Sequence, residues 1–381
     1  MKAVIIAPFF DSIDKMSFGP YPFVYNLIKG LNERMDLLVV TSGWPKKPAE
    51  SIVDGVRVFR VLSFPSPLEF YKSPFLSFSF GFKRILKEKP DIINAQDFDG
   101  VMPLFLSKHF SKKTKRILSI KSFTSLRLAE VKDRIKFNEK FFVNIQGRWE
   151  NFALKQSEKF ICPSNTFIEL LSNENPFLKG KTHRIYNGVD TSLFNPAALN
   201  SDLSMLFMGG SIEKKGVYFA LAAFRILKKE FPELKLKIIG SNTLPDKAVF
   251  LKELSTKELK DITLLGRVSH KEIPKIVNES TIVLNPSFFE SFGSFSVEAM
   301  ACGKPVVAFD MLVMKEVIGN AGVFAEALNY NDFINKTRIL LDDKQLRLKL
   351  GRNGVERVKK NFTLKQSIDE YCKLFEMTVG E

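Results

Sequence analysis

Residues 285–308 read Asn285-Pro-Ser-Phe-Phe-Glu290-Ser-Phe-Gly293-Ser-Phe-Ser-Val-Glu298-Ala-Met-Ala-Cys-Gly-Lys-Pro-Val-Val-Ala308. Val283-Leu284-Asn285 closes an apolar, strand-like run, Pro286 ends it, and Gly293 permits a tight turn. From Ser294 the spacing of Val297, Met300 and Ala301 is helical. The stretch is therefore a strand, a loop and a helix, with Glu290 in the loop and Glu298 in the first turns of the helix. The amides of Phe292, Gly293 and Ser294 then point off a helix N-terminus, where anions are favoured. Two carboxylates beside them can accept hydrogen bonds from hydroxyls. Each glutamate alone has a plainer explanation, as a surface loop residue and as a first-turn acid favoured by the helix dipole.

The same alternation runs through the chain. Val4–Ala7, Leu37–Thr41, Val56–Val61, Ile92–Ala95, Ile117–Ile120, Phe160–Cys162 and Arg184–Tyr186 read as short buried strands, with helix-like stretches such as Phe23–Asn32 between them. The pattern lapses at Asn195–Ser201. It resumes at Met205–Met208, Leu236–Ile239, Ile262–Leu265, Ile282–Leu284, Val306–Phe309 and Gly322–Phe324. Short β-branched runs alternating with helices argue for parallel sheets covered on both faces. The fold class is α/β, with two doubly wound Rossmann-like domains facing across a cleft and ligand loops at the carboxyl ends of the strands.

The 381 residues suffice for two cores. The three cysteines, Cys162, Cys302 and Cys372, have neither metal-like spacing nor an even-numbered framework, and they fit a reducing compartment. No signal-peptide pattern or membrane-length apolar stretch is legible, so a cytoplasmic protein is expected. The charge of +15 is uneven: residues 103–160 hold 14 Lys/Arg against 5 Asp/Glu. With the Phe-rich run 64–82 upstream, such a stretch suits an anionic membrane surface, placing the protein peripherally at the inner face. A basic chain around a Phe-rich core is the plainer account. No nucleic-acid-recognition signature accompanies the charge, so nucleic acid is not an expected partner.

The run Leu206-Phe-Met-Gly209-Gly210-Ser-Ile-Glu-Lys214-Lys215-Gly216 ends another strand and opens another helix, with bare glycines and a cation at the turn. Asp97-Phe98-Asp99 is a DxD triplet, a pattern able to hold a metal, but one such triplet is expected by chance at ordinary Asp usage; no metal is assigned.

Taken together, these motifs resemble retaining glycosyltransferases of the GT-B fold, family 4 (group 1 type). The matching elements are Pro286-Ser287, Glu290-x-Phe292-Gly293, Glu298-Ala-Met-Ala-x-Gly303 and Pro305-Val-Val. Ile185-Tyr-Asn-Gly-Val-Asp-Thr-Ser-Leu-Phe-Asn-Pro196 is similar to the family's linker-proximal signature. Asp54-Gly-Val-Arg-Val58 and Pro90-Asp-Ile-Ile-Asn-Ala-Gln-Asp97 are similar to first-domain segments near the acceptor. The resemblance implies an acceptor-side domain over residues 1–195 and a nucleotide-sugar domain over 203–362. A final helix at about 363–381 is expected to pack back on the first domain.

The implied reaction moves a sugar from a nucleotide-diphosphate sugar (UDP- or GDP-sugar, no other cofactor) to a hydroxyl on a glycan or lipid-linked acceptor. It implies Glu290 and Lys215 as catalytic residues. The implied donor site is Gly209, Gly210, Lys215, Gly240, Arg267, Val268, Glu290, Phe292, Gly293, Ser294 and Glu298; on the acceptor side stand Gly19, Asp97 and Lys121. Two positions depart from the family pattern. Gly210 stands where the family carries a phosphate-clamping arginine, and Lys121 follows a strand where relatives carry a histidine. A glycine replaces no guanidinium, so the alternative reading is an inactive nucleotide-sugar-binding protein, or a membrane or nucleic-acid adaptor, on the same fold.

Overall fold

The computed structural model describes residues 1–11, 21–44, 46–62, 81–123, 147–197, 202–209, 213–240 and 255–381. The Phe-rich run 63–80, most of the basic stretch (124–146), Gly19, Gly210 and Ser241 lie outside them. The described residues up to Tyr186 form one compact unit together with Lys365–Glu381, and Asn187–Leu364 form the other.

The first unit is an eight-stranded sheet: β1 (Lys2–Ile6), β2 (Asp36–Trp44), β3 (Glu50–Val53), β4 (Val56–Leu62), β5 (Ile92–Gln96), β6 (Lys115–Ser119), β7 (Lys159–Cys162) and β8 (Thr182–Arg184), in the order β3-β4-β2-β1-β5-β6-β7-β8. Every pairing is parallel except β3 with β4. That antiparallel edge closes through Asp54-Gly55, both with positive φ (49° and 85°), as a two-residue hairpin turn requires. The final helix, Leu364–Gly380, belongs to this unit. It lies so close to the helix Tyr21–Asn32 that a Cβ on Gly30 would fall 2.1 Å from Ile368 Cδ1. Its Tyr371 is fully buried and meets Ser119 Oγ at 3.2 Å and Lys121 Nζ at 3.5 Å.

The second unit is an all-parallel six-stranded sheet: β9 (Ser204–Met208), β10 (Lys235–Ile239), β11 (Ile262–Gly266), β12 (Ile282–Asn285), β13 (Val306–Phe309) and β14 (Gly322–Ala325), in the order β11-β10-β9-β12-β13-β14. β12 and β13 are buried along their whole length, as a strand covered on both faces must be, which is why they read as unbroken apolar runs. Strand order reverses between β9 and β12, whose pairing sets Leu284 opposite Phe207. Their carboxyl ends, Met208 and Asn285, are therefore neighbours, and a doubly wound sheet offers its ligand crevice at that reversal. One core face packs around Phe219, stacked 3.9 Å on Tyr330 and set edge-on to Phe309.

Candidate active site at the strand-order reversal of the second unit

Two loops leave the sheet where its order reverses, and backbone contacts lock them together. After β9 the chain passes Gly209, makes a 3-10 turn (Glu213–Lys215) and enters the helix Val217–Leu227 through Gly216, whose φ is 79°. A Cβ on Gly216 would lie 2.0 Å from the carbonyl oxygen of Pro286, the first residue after β12. Only glycine lets the two backbones approach so closely. Phe288 N–H donates to Lys214 O at 3.0 Å, fixing the register of one loop on the other. Gly209 is needed for a second reason, since a Cβ there would meet Lys215 Cβ at 2.6 Å; the lysine stem lies across it.

That framework brings Lys215 and Glu290 together. Lys215 Nζ donates to Glu290 Oε1 at 2.6 Å, with the carboxylate side chain 15% exposed and the lysine 32%. Seventy-five residues separate them in sequence. Beyond Glu290 the chain turns at Gly293 (φ 88°), which caps the helix Ser294–Ala301 without a side chain. A Cβ at Gly293 would strike Met314 Cε at 2.6 Å, so the first-turn amides follow a bare backbone. Asn285 Nδ2 donates to Ser296 Oγ at 2.8 Å and ties the end of β12 to the same helix. Phe292 turns its ring inward, 1% exposed and edge-on to Phe362.

Glu298 lies one helical turn further on. Its Oε1 is 2.9 Å from His270 Nε2, and the histidine is 4% exposed. A carboxylate only accepts, so the Nε2 position carries the proton. His270 follows Arg267 and Val268 in the loop after β11. Val268 is buried and Arg267 exposed. Gly209 and Gly240 directly follow β9 and β10, and Gly266 ends β11, all with positive φ. They are joined by Gly209 N–H to Ile239 O (3.1 Å) and Gly240 N–H to Gly266 O (2.7 Å), a rim whose own residues carry no side chains. The histidine was not among the residues expected from sequence; its signal was a loop already marked by Arg267-Val268. Cys302 near Glu298 is no nucleophile: burial first, and then Glu298, pushes its thiol up to about 12.

Asp97 and Lys121 lie in the first unit. Asp97, with φ 71°, accepts from Phe98 N–H at 3.2 Å and its own N–H donates to Ser119 O at 2.8 Å. Lys121 is 7% exposed and lies 4.8 Å over the Phe23 ring. Among the described residues no cluster of three or more His, Cys, Asp or Glu is arranged to hold a metal.

Family models match both halves of the chain, "Glycosyl transferases group 1" over residues 190–357 and "Glycosyltransferase Family 4" over residues 22–193. The chain belongs to this GT-B glycosyltransferase family. An uncharacterized glycosyltransferase of Methanocaldococcus jannaschii is 34% identical over 238 residues, 61% of this chain and 64% of that one; the match thus spans a little under two thirds of the relative. Sucrose-phosphate synthase from Thermosynechococcus elongatus shares the fold at a TM-score of 0.81 and 19% identity, covering 99% of this chain and 98% of the other. Anabaena HepE, solved in complex with UDP and glucose, superposes at 0.69 and 16% identity over 99% of each chain.

Proposed function

We propose that this chain is a retaining glycosyltransferase that moves a hexose-type unit from a nucleoside-diphosphate sugar, with UDP or GDP as carrier, to a hydroxyl acceptor. The carrying observation is the Lys215–Glu290 pair, set 2.6 Å apart by two interlocked loops at the reversal of a doubly wound sheet. Breaking the sugar–phosphate bond leaves negative charge on the diphosphate and positive charge at the anomeric carbon. Lys215 and the amides after Gly293 answer the first, and Glu290 the second. Glu298 takes the ribose hydroxyls, and the glycine rim receives the base against backbone. A structural relative carrying UDP and glucose supports a nucleotide-sugar donor.

The test is purified protein incubated with UDP-, GDP- and ADP-glucose and their mannose and N-acetylglucosamine counterparts, reading nucleoside diphosphate release and the anomeric configuration of the product by NMR. Lys215→Ala and Glu290→Ala should each slow release by about 100-fold or more. A second reading, donor binding without turnover, is favoured by Gly210 at the arginine position and by Lys121, which is buried against Phe23 and Tyr371. Tight nucleotide binding with no release across the panel would establish it. The net charge of +15 favours a glycan or lipid-linked acceptor presented at the inner face of an anionic membrane. No helix among the described residues is long and apolar enough to span a bilayer. Flotation with phosphatidylglycerol vesicles at low salt tests peripheral binding, and protein left wholly unbound overturns it.

A further inference from the structure

We infer that His270 is a positioning residue for the donor: it fixes the carboxylate of Glu298, and the linker-proximal segment fixes His270. This rests on the proposal that Glu298 binds ribose. Glu298 Oε1 accepts from His270 Nε2–H at 2.9 Å, and among the described residues no hydrogen bond engages its second oxygen, which is left for a hydroxyl. His270 itself is held by packing. Its Nδ1 is buried with no hydrogen-bond partner among the described residues, and the Phe194 ring lies 5.0 Å away.

Phe194 owes its position to the segment Asn187–Pro196. Asp190 Oδ1 accepts from Ser192 N–H at 2.9 Å and from Ser192 Oγ at 2.6 Å, and Asp190 O accepts from Phe194 N–H at 2.8 Å. The turn is anchored in turn: Asn278 Nδ2 donates to Asn195 O at 3.0 Å and Asn278 Oδ1 accepts from Ala197 N–H at 2.9 Å. The segment thus sets one ring, that ring sets one imidazole, and the imidazole holds one carboxylate oxygen. An orphaned buried nitrogen has a desolvation cost and gains no stability, which argues that the histidine is kept for what its other nitrogen does.

The experiment uses the full chain and whichever of UDP, GDP and ADP binds tightest, alongside its 2′,3′-dideoxy counterpart, with both affinities measured by calorimetry. His270→Leu should weaken the ribonucleotide about tenfold and the dideoxy compound less than twofold. His270→Gln, which offers an N–H at similar reach, should restore most of the ribonucleotide affinity. Where the leucine variant fails to fold, His270→Asn, too short to reach Glu298, takes its place with the same expectation. Donor KM should rise with kcat little changed. Glu298→Ala separates the two readings: if it weakens both nucleotides equally, the ribose assignment fails. If it discriminates between them while the His270 variants do not, the positioning role alone is overturned.

Discussion

Gly216→Ala tests the claim that the two loops of the candidate active site are held by direct backbone contact, and Gly55→Ala provides its control. Both glycines have left-handed φ, 79° and 85°. A Cβ on Gly55 meets nothing within 4 Å, so that substitution carries only the backbone penalty of about 1–2 kcal/mol. A Cβ on Gly216 would lie 2.0 Å from Pro286 O and 2.8 Å from Pro286 C, backbone atoms that cannot rotate away. Restoring even the tightest tolerated contact of 3.0 Å parts the loops by about 1 Å, the difference of the two distances. The Phe288 N–H to Lys214 O bond at 3.0 Å then breaks, adding about 1 kcal/mol. The total is about 2–3 kcal/mol before repacking is counted. Lys215 is the adjacent residue, and a displacement of about 1 Å in a positioned group lowers turnover by about 100-fold. Both tryptophans, Trp44 and Trp149, lie in the first unit. Urea unfolding should therefore be followed by far-UV circular dichroism, with calorimetry of nucleotide binding alongside. Equal stability losses in the two variants, with nucleotide affinity intact in Gly216→Ala, would refute the reasoning.

Glu290→Gln should tighten binding of the bare nucleoside diphosphate while slowing sugar transfer, a split read by calorimetry against an assay of nucleoside diphosphate release. Tyr371→Phe removes a buried hydroxyl from Ser119 and Lys121 and should lower stability in urea by about 1–2 kcal/mol, with the final helix exchanging its amide protons faster. Burial pushes the Glu88 carboxyl up, but hydrogen bonds from Lys2 and Arg84 outweigh it and hold the group down at about 2. A depressed carboxylate contributes stability that is fully present above its unfolded value of 4.5 and is lost as pH falls toward 2. Glu88→Gln should therefore flatten the acid limb of the stability profile in that window, measured by thermal melts from pH 6 to pH 2 buffers; an unchanged limb would refute the assignment.

The parallel strands were legible because both of their faces are buried, which leaves unbroken apolar runs such as Ile282–Leu284 and Val306–Phe309. β3 was not. Glu50-Ser-Ile-Val53 is a short edge strand with exposed and half-buried residues alternating, and its only strong signal was the Asp54-Gly55 turn that follows it. The last strand of the first unit lies at Thr182–Arg184, two residues before the stretch expected from apolar content, because an edge strand of half-buried residues needs no apolar run. In the site, the loop around Glu290 was readable because a strand, a glycine and a helix leave local marks. The pairing of Glu290 with Lys215 and of Glu298 with His270 was not, because strand order alone sets β9 beside β12 and β11 two strands beyond β9, and no local pattern encodes that order.

The Lys215–Glu290 pair has a further consequence for selectivity. In the free protein each charge is already answered, and the pair is partly shielded from water, so a ligand must replace a partner as well as supply one. A bare nucleoside diphosphate supplies an anion to Lys215 but leaves Glu290 beside that anion with nothing in exchange, and like charges at such range repel strongly in a partly buried site. A nucleoside-diphosphate sugar supplies both halves, phosphate to the lysine and hydroxyl or developing positive charge to the carboxylate. Under the proposed function, the same carboxylate would weaken the product complex and strengthen the reacting one, which would favour departure of the nucleotide once the sugar has moved. Neutralising Glu290 should remove both effects together, whereas removing Lys215 should weaken the two nucleotides alike. That asymmetry between the partners distinguishes a selective ion pair from a merely structural one.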